Sequence, residues 1–233
     1  MPKISVIIPA LNEEKYIAYP LLGLARQSFK DFETIVVDGG SKDRTREIAR
    51  KYHAKVITEH RPGIGLARNS GAKVSKGRIL VFLDGDTKPG KHLLMDYYEA
   101  MSGDAIAATG PIYPLEKTNK RISIGYKIVS IVMVKLSIKL GMPSVVGSNF
   151  VVRKDVFLKV KGFNSKLMTY EDWDLSIRLK KYGRIKFVDS AYVHTSARRV
   201  AAWGIIKYFT YHVGNMIRYT FTKTAKSDYG YIR

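Results

Sequence analysis

The stretch Leu80-Val81-Phe82-Leu83-Asp84-Gly85-Asp86-Thr87 runs large apolar residues into two aspartates separated by one glycine. An unbroken apolar run closed by a polar turn reads as a strand buried on both faces, as in the middle of a parallel α/β sheet. Asp84 and Asp86 then stand at the strand's carboxyl end, the edge at which open α/β sheets bind ligands. Gly85 lets the backbone bend with no side chain in the way. Both carboxylates can therefore turn toward one point, and two hard oxygen donors suit Mg²⁺ or Mn²⁺. Such an ion takes one or two carboxylates and fills its shell with phosphate oxygens and water. A solvated strand-to-turn junction has the same composition, so the rest of the chain must choose between the two.

Toward the N-terminus the pattern repeats. Ile4 to Ile8 reads as a buried strand that leaves through Pro9-Ala10-Leu11-Asn12-Glu13, followed by a helix from about Glu14 to Ser28 with Pro20 near its start or kinking it. Thr34-Ile35-Val36-Val37 is a second short apolar run. It ends in Asp38-Gly39-Gly40-Ser41-Lys42-Asp43, where Ser41 or Asp43 can cap a helix from about Arg44 to Tyr52. Lys55 to Thr58 is a third strand, and a helix from about Leu66 to Val74 carries Arg68 and Asn69. Each return to a parallel strand needs a crossover, so this alternation predicts an α/β fold with a Rossmann-like, doubly wound, mostly parallel sheet. Asp38, Arg68 with Asn69, and Asp84 with Asp86 converge on one edge of it. The first strand is not followed by Gly-x-Gly-x-x-Gly, and no P-loop lysine motif occurs, which argues against an NAD enzyme and a P-loop enzyme.

Beyond Gly103 the order loosens. Ala105 to Thr109 reads as a strand, and Arg121 to Leu140 as an apolar helix whose Lys127, Lys135 and Lys139 share about one third of its circumference. Such a helix fits a membrane interface, and equally a surface position over the protein's own core. Val145 to Val152 resumes strand character and contains Asn149. A helix opens at Tyr170-Glu171-Asp172-Trp173-Asp174, where acids suit the helix dipole whatever else they do. A last strand from about Ile185 to Val188 and then Tyr192-Val193-His194 precede a long, mostly apolar segment from Val200 to Thr222, suited to a membrane interface or a second subunit. The tail from Lys223 to Arg233 reads as frayed.

The chain has 233 residues, with 40 Lys+Arg against 20 Asp+Glu for a formal charge of +20. That balance implies a phosphate-rich ligand, nucleic acid or an anionic membrane surface. The absence of cysteine excludes disulfides, thiolate catalysis and Cys-ligated metal sites. A strand that begins almost at Met1 leaves no room for a signal peptide, and no stretch long enough to span a bilayer is free of charge. A cytoplasmic protein, peripheral at the inner face of the cell membrane, is expected.

Together these stretches resemble the large family of inverting GT-A glycosyltransferases, the family 2 type, that use nucleotide-diphosphate sugars. Ser5-Val6-Ile7-Ile8-Pro9-Ala10-Leu11-Asn12-Glu13 is similar to that family's opening strand and loop; Val37-Asp38-Gly39-Gly40-Ser41 to its second motif; Gly65-Leu66-Ala67-Arg68-Asn69 to its third; Asp84-Gly85-Asp86 to its metal motif; and Glu171-Asp172 to its acidic pair. The resemblance implies nucleotide contacts from Pro9, Ala10, Asn12, Glu13, Asp38, Gly39, Arg68, Asn69, Asp84 and Gly85. It implies Mn²⁺ or Mg²⁺ on Asp84 and Asp86, with His194 completing the shell, and Asp172 as general base. Displacing a nucleoside diphosphate from an anomeric carbon needs a cation for the leaving phosphate and a base for the acceptor hydroxyl, which agrees with that assignment. His194 alone is as well explained by packing. Arg198 and Arg199 suit diphosphate or a solvated basic turn, and Glu171, Asn149 and Trp173 suit acceptor contacts or caps and core packing.

The only glutamine, Gln27, lies in no Gln-x-x-Arg-Trp context, the mark of the family's processive synthases, so transfer of a single sugar is expected. The donor would be a UDP- or GDP-sugar and the acceptor lipid-linked or a glycan. The expected organisation is a catalytic domain over 1–195, with a nucleotide-sugar half (1–103) and an acceptor half (104–195), and a C-terminal amphipathic helical extension over 196–233 that could also pair two copies. Two rivals remain. A sugar-nucleotide nucleotidyltransferase would need a glycine-rich basic loop where Pro9-Ala10-Leu11-Asn12-Glu13 stands. A nucleic-acid-binding protein would show a steep salt dependence and have no use for aspartates at strand ends, so no nucleic-acid partner is expected.

Overall fold

In a computed structural model, which describes residues 1–225, alternate residues of the apolar strands face opposite layers. Strand β1 (Ile4–Ala10) sends Ile4, Val6 and Ile8 into one core and Ile7 into the other, and β4 (Ile79–Leu83) divides Val81 and Leu83 from Leu80 and Phe82 in the same way. A strand wet on one face would not need to be apolar at every position, which is why these runs read as continuous.

The central sheet has seven strands in the order β3 (Lys55–Thr58), β2 (Phe32–Asp38), β1, β4, β8 (Asn149–Arg153), β6 (Ala105–Thr109), β9 (Arg184–Phe187). The first four are parallel, β8 runs antiparallel to both β4 and β6, and β9 is parallel to β6. Helices α1 (Ala18–Ala25), α2 (Thr45–Lys51) and α4 (Leu93–Ser102) cover one face. On the other lie α3 (Ile64–Val74), α7 (Lys154–Lys159) and α8 (Glu171–Leu179), with the Phe82 ring in contact with those of Phe150, Phe157 and Phe163.

A second sheet stands at the carboxyl edge: β5 (Thr87–Pro89), β10 (Val193–Thr195) and β7 (Ile112–Pro114), with β10 in the middle. Its strands are three residues each, too short for sequence periodicity to reveal. The amphipathic stretch becomes α5 (Lys120–Lys127), a π-helical turn over Ile128–Met133 and α6 (Val134–Lys139). The segment expected as one helix from Val200 breaks at Gly204, whose φ of +76° favours glycine, into α9 (Arg198–Trp203) and α10 (Ile205–Thr222). The first helix starts later than its periodicity suggests, since residues 14–17 form a turn in which the Tyr16 and Ile17 N–H groups reach the Glu13 carbonyl. The tail expected to fray lies, from residue 226 onward, outside the described residues. Among the described residues, no helix is long and apolar enough to cross a membrane.

Candidate active site

The loops after β1 and β2 are stitched into one unit. Asn12, held at φ +53°, donates its N–H to Ser41 Oγ (2.9 Å) and accepts from the Lys42 N–H at Oδ1 (2.8 Å). The Glu13 N–H reaches Thr45 Oγ1 (2.8 Å) and the Glu14 N–H reaches Asp43 Oδ2 (3.0 Å). Asp43 also accepts from Thr45, and these bonds outweigh burial and hold its carboxyl below the usual range. Ser41, Asp43 and Thr45 thus fix the edge, where sequence reasoning assigns Ser41 and Asp43 a capping role. Gly85 lets the β1 loop lie close: a Cβ there would stand 3.3 Å from Glu13 Cγ, tighter than ordinary contact.

Asp38 closes β2. Its Oδ2 accepts from the N–H groups of Gly40 and Ser41, both at 3.0 Å, with Arg46 at 3.7 Å. Its Oδ1 is buried with no protein partner among the described residues. Buried carboxylate oxygens are nearly always paired, which sets this one apart.

Asp86 is half-buried near Asp84 and Glu13. Burial foremost, then these like charges, push its carboxyl up to about 7, while Arg198 and Thr195 oppose the rise. Arg198 bonds both oxygens of Glu13 (2.6 and 3.0 Å), lies 3.2 Å from Asp86 Oδ2 and stacks on the Tyr16 ring at 4.6 Å. Thr195 Oγ1 donates to Asp86 Oδ1 at 3.2 Å. Among the described residues, no group of three or more His, Cys, Asp and Glu side chains forms a ready metal cage. Asp84 and Asp86 supply hard oxygen donors whose mutual repulsion a divalent cation would relieve, and they fit an ion that takes the rest of its shell from phosphate and water.

Here the structure corrects the expectation for His194. Side chains alternate along β10, and the pairing Thr195 with Thr87 turns Thr195 toward Asp86. His194 packs instead against the rings of Tyr113 and Tyr192, and burial lowers its pKa.

Across the edge lies Arg68, 1% exposed. Nη2 donates to Asp84 Oδ1 and Nη1 to Glu171 Oε1, both at 2.7 Å, and the guanidinium lies over Phe163. Each terminal nitrogen thus holds one of these carboxylates, and the buried Nε has no partner among the described residues, so Arg68 ties Asp84 to Glu171. Glu171 is likewise buried in that ion pair and is neither a cap nor an acceptor contact; burial and Asp172 push it up to about 7. Next to it, half-buried Asp172 accepts from the N–H groups of Gly147 (3.0 Å) and Trp173 (2.8 Å). Burial raises its pKa and Arg68 restrains the rise. Trp173 is half-buried beside it. Gly147 was not singled out by its sequence, yet a Cβ there would meet the Arg68 guanidinium at 2.7 Å.

Two more expectations give way to internal bonding. The Asn149 amide is wholly used: Nδ2 donates to the carbonyls of Pro111 (3.1 Å) and Ala191 (2.9 Å), and Oδ1 accepts from the Tyr97 hydroxyl (2.6 Å). Asn69 exchanges both its amide bonds with the main chain of Phe163. Arg199 stands over the Trp203 ring rather than beside Arg198's carboxylates. Helix α10 crosses to α8, where Tyr219 donates to Asp174 Oδ1 (2.5 Å) and Tyr170 to the His212 carbonyl, so one face of this helix meets its own domain.

Comparison with known proteins agrees with this architecture. Residues 5–161 match the family described as Glycosyl transferase family 2, and residues 127–197 match the N-terminal domain of galactosyltransferase. The chain is 36% identical over 118 residues to the glycosyltransferase AglE of Haloferax volcanii, covering 47% of this chain and 39% of that one. It is 29% identical over 196 residues to an uncharacterized glycosyltransferase of Haemophilus influenzae, covering 76% and 61%. Staphylococcus aureus TarS (residues 1–349) in complex with UDP-GlcNAc superposes with a TM-score of 0.68 at 26% identity, over 83% of this chain and 58% of that one. A Pyrobaculum calidifontis mannosyltransferase in complex with GDP-Man and Mn²⁺ gives 0.69 at 17% identity, over 91% and 64%, a likeness of fold. The chain spans less than two thirds of the length of each of these relatives. On the extent of the family match and the shared fold, the chain belongs to the glycosyl transferase family 2 enzymes, with their GT-A architecture.

Proposed function

We propose that this chain is a metal-dependent inverting glycosyltransferase that moves one sugar from a UDP- or GDP-sugar to a lipid-linked or glycan acceptor, working at the inner face of the cell membrane. The observation that carries this reading is the Arg68 clamp. One buried guanidinium bonds Asp84 and Glu171, so the Asp84/Asp86 pair and the adjacent Asp172 are fixed about a single point from positions far apart in sequence. UDP-GlcNAc and GDP-Man in the complexes of the superposed proteins support a nucleotide-sugar donor.

In this reading residues 1–103 receive the donor and 104–195 the acceptor. The unpaired Asp38 Oδ1 takes a hydrogen bond from the nucleotide base, and the stitched β1 loop, from Pro9 to Glu13, supplies main-chain contacts over Gly39 and Gly85. Asp84 and Asp86 would hold Mn²⁺ or Mg²⁺. A bound cation offsets the charge that develops on the departing diphosphate. Arg198, which spans Glu13 and Asp86, has the fork geometry to bond diphosphate oxygens as well. Asp172 Oδ accepts the proton of the acceptor hydroxyl as that oxygen attacks the anomeric carbon from the face opposite the leaving group, which inverts the configuration. Trp173 at the same helix start offers the acceptor an apolar surface.

The test is calorimetric titration with UDP, GDP, CDP, ADP and TDP, each with Mn²⁺ and with EDTA. Metal-dependent binding of one diphosphate, abolished by Asp84→Ala with Asp86→Ala, is the expected result. Binding of none of them would overturn the reading.

A further inference from the structure

The stretch α5, π-turn and α6 has an inner and an outer side. On the inner side Ser130 exchanges hydrogen bonds with the main chain of Ile112 in β7, and Val134 is buried. On the outer side Ile124, Ile128, Val132, Leu136 and Leu140 recur at every fourth position and are between 44 and 61% exposed, with Met133 beside them at 50%. A row at every fourth residue drifts around a straight α-helix. The wider π-helical turn over Ile128–Met133 counters the drift, and such turns gather at functional sites. A continuous exposed apolar ridge of this kind marks an interaction surface rather than scattered surface hydrophobics.

Its surroundings identify the partner. No Asp or Glu occurs in the sequence between Glu116 and Asp155. Lys127 and Lys139 are exposed and have no ion pair among the described residues, and only Lys135 finds a carboxylate, Asp189 at 2.5 Å. A second copy of the chain would set these lysines against one another with no acid in the ridge to receive them. Nucleic acid would meet the cations but leave the aliphatic row in water. An anionic lipid surface satisfies both, since the aliphatic row enters the interface and the lysines meet phosphate headgroups. We infer that the Ile124–Leu140 ridge docks this protein on an anionic bilayer. The inner side of the same stretch rests on β7, β7 pairs with β10, and β10 carries Thr195 to Asp86, so the ridge stands on the small sheet beside the candidate site. That the bilayer then presents the acceptor rests on the proposed function, whereas the docking itself does not.

Flotation with vesicles of phosphatidylcholine alone, or with one third phosphatidylglycerol, tests this without nucleotide or acceptor. The whole chain is expected to float with the anionic vesicles and not the neutral ones. Val132→Glu with Leu136→Glu, both at exposed positions, should weaken binding at least about tenfold, and Lys127→Glu with Lys139→Glu by about 30-fold or more, while nucleotide titration stays unchanged. Equal flotation with both vesicles, or binding untouched by either pair, would overturn the inference. So would a concentration-dependent dimer in sedimentation that Val132→Glu with Leu136→Glu dissolves. Vesicle binding without nucleotide binding would keep the docking and sink the proposed function, and the reverse result would do the opposite.

Discussion

Replacing Arg68 by methionine keeps most of the side-chain bulk and removes the charge that holds Asp84 to Glu171. Both hydrogen bonds of 2.7 Å are charge-assisted, and the guanidinium is 1% exposed, so water cannot replace them without rearrangement. Removing one partner of a buried ion pair costs about 3–5 kcal/mol, because the other charge is left buried and uncompensated. Here two carboxylates are left, and Asp172 stands close to both. That loss is a third or more of the roughly 5–15 kcal/mol by which a domain is stable. The remedy open to the variant is protonation, so the cost should depend on pH. Urea unfolding followed by circular dichroism is expected to show Arg68→Met destabilised by about 3–5 kcal/mol at pH 7.5 and by less than half of that at pH 5.0. Adding Glu171→Gln should recover part of the loss at pH 7.5, which a double-mutant cycle would read as coupling. A loss below about 1 kcal/mol, or the same loss at both pH values, would refute the clamp.

Asp172→Asn keeps an acceptor for the Gly147 N–H but cannot take a proton. Turnover should fall about 10²–10⁴-fold with KM little changed and unfolding within about 1 kcal/mol of the parent, as read by steady-state kinetics and urea unfolding. Asp86 and Glu171, pushed up to about 7, retain protons in the native state that the unfolded chain has released from about pH 4 upward. Their contribution therefore stabilises the metal-free protein at pH 5 and is lost as pH rises through 7, so the melting temperature should fall over that interval, and Mn²⁺ should offset the fall. Gly147→Ala drives a methyl group against a guanidinium that cannot move without breaking its ion pairs, and should cost about 1–3 kcal/mol in the same unfolding assay.

The parallel sheet was legible because β4 is buried and apolar at every position, and β1 and β2 carry short buried apolar runs, Val6 to Ile8 and Ile35 to Val37. Asp38, Asp84 and Asp86 were legible because they follow such strands directly. What decided His194 was not local: a three-residue strand pairs with Thr87 across more than a hundred residues, and that register turns Thr195 inward. Asn149 and Asn69 resemble ligand contacts in sequence, but their partners are main-chain atoms of distant segments that no motif announces. Gly147 escaped notice for a related reason, since its lack of a Cβ matters only once Arg68 lies against it. The amphipathic pattern of residues 121–140 was readable, but which of its sides met the core was not. Ser130 settles that by reaching Ile112.

The reversed strand β8 bears on the order in which the molecule is made. The first four strands, complete at Leu83, form a continuous parallel run, so a nascent chain can assemble it soon after it leaves the ribosome. The far edge of β4 has no partner until β8, whose last residue is Arg153, and β6 waits for the same strand. For some seventy residues of synthesis a fully apolar strand edge is therefore open, the kind of edge that templates aggregation. Arrested chains ending between Leu83 and Arg153 are the ones for which a chaperone would be needed.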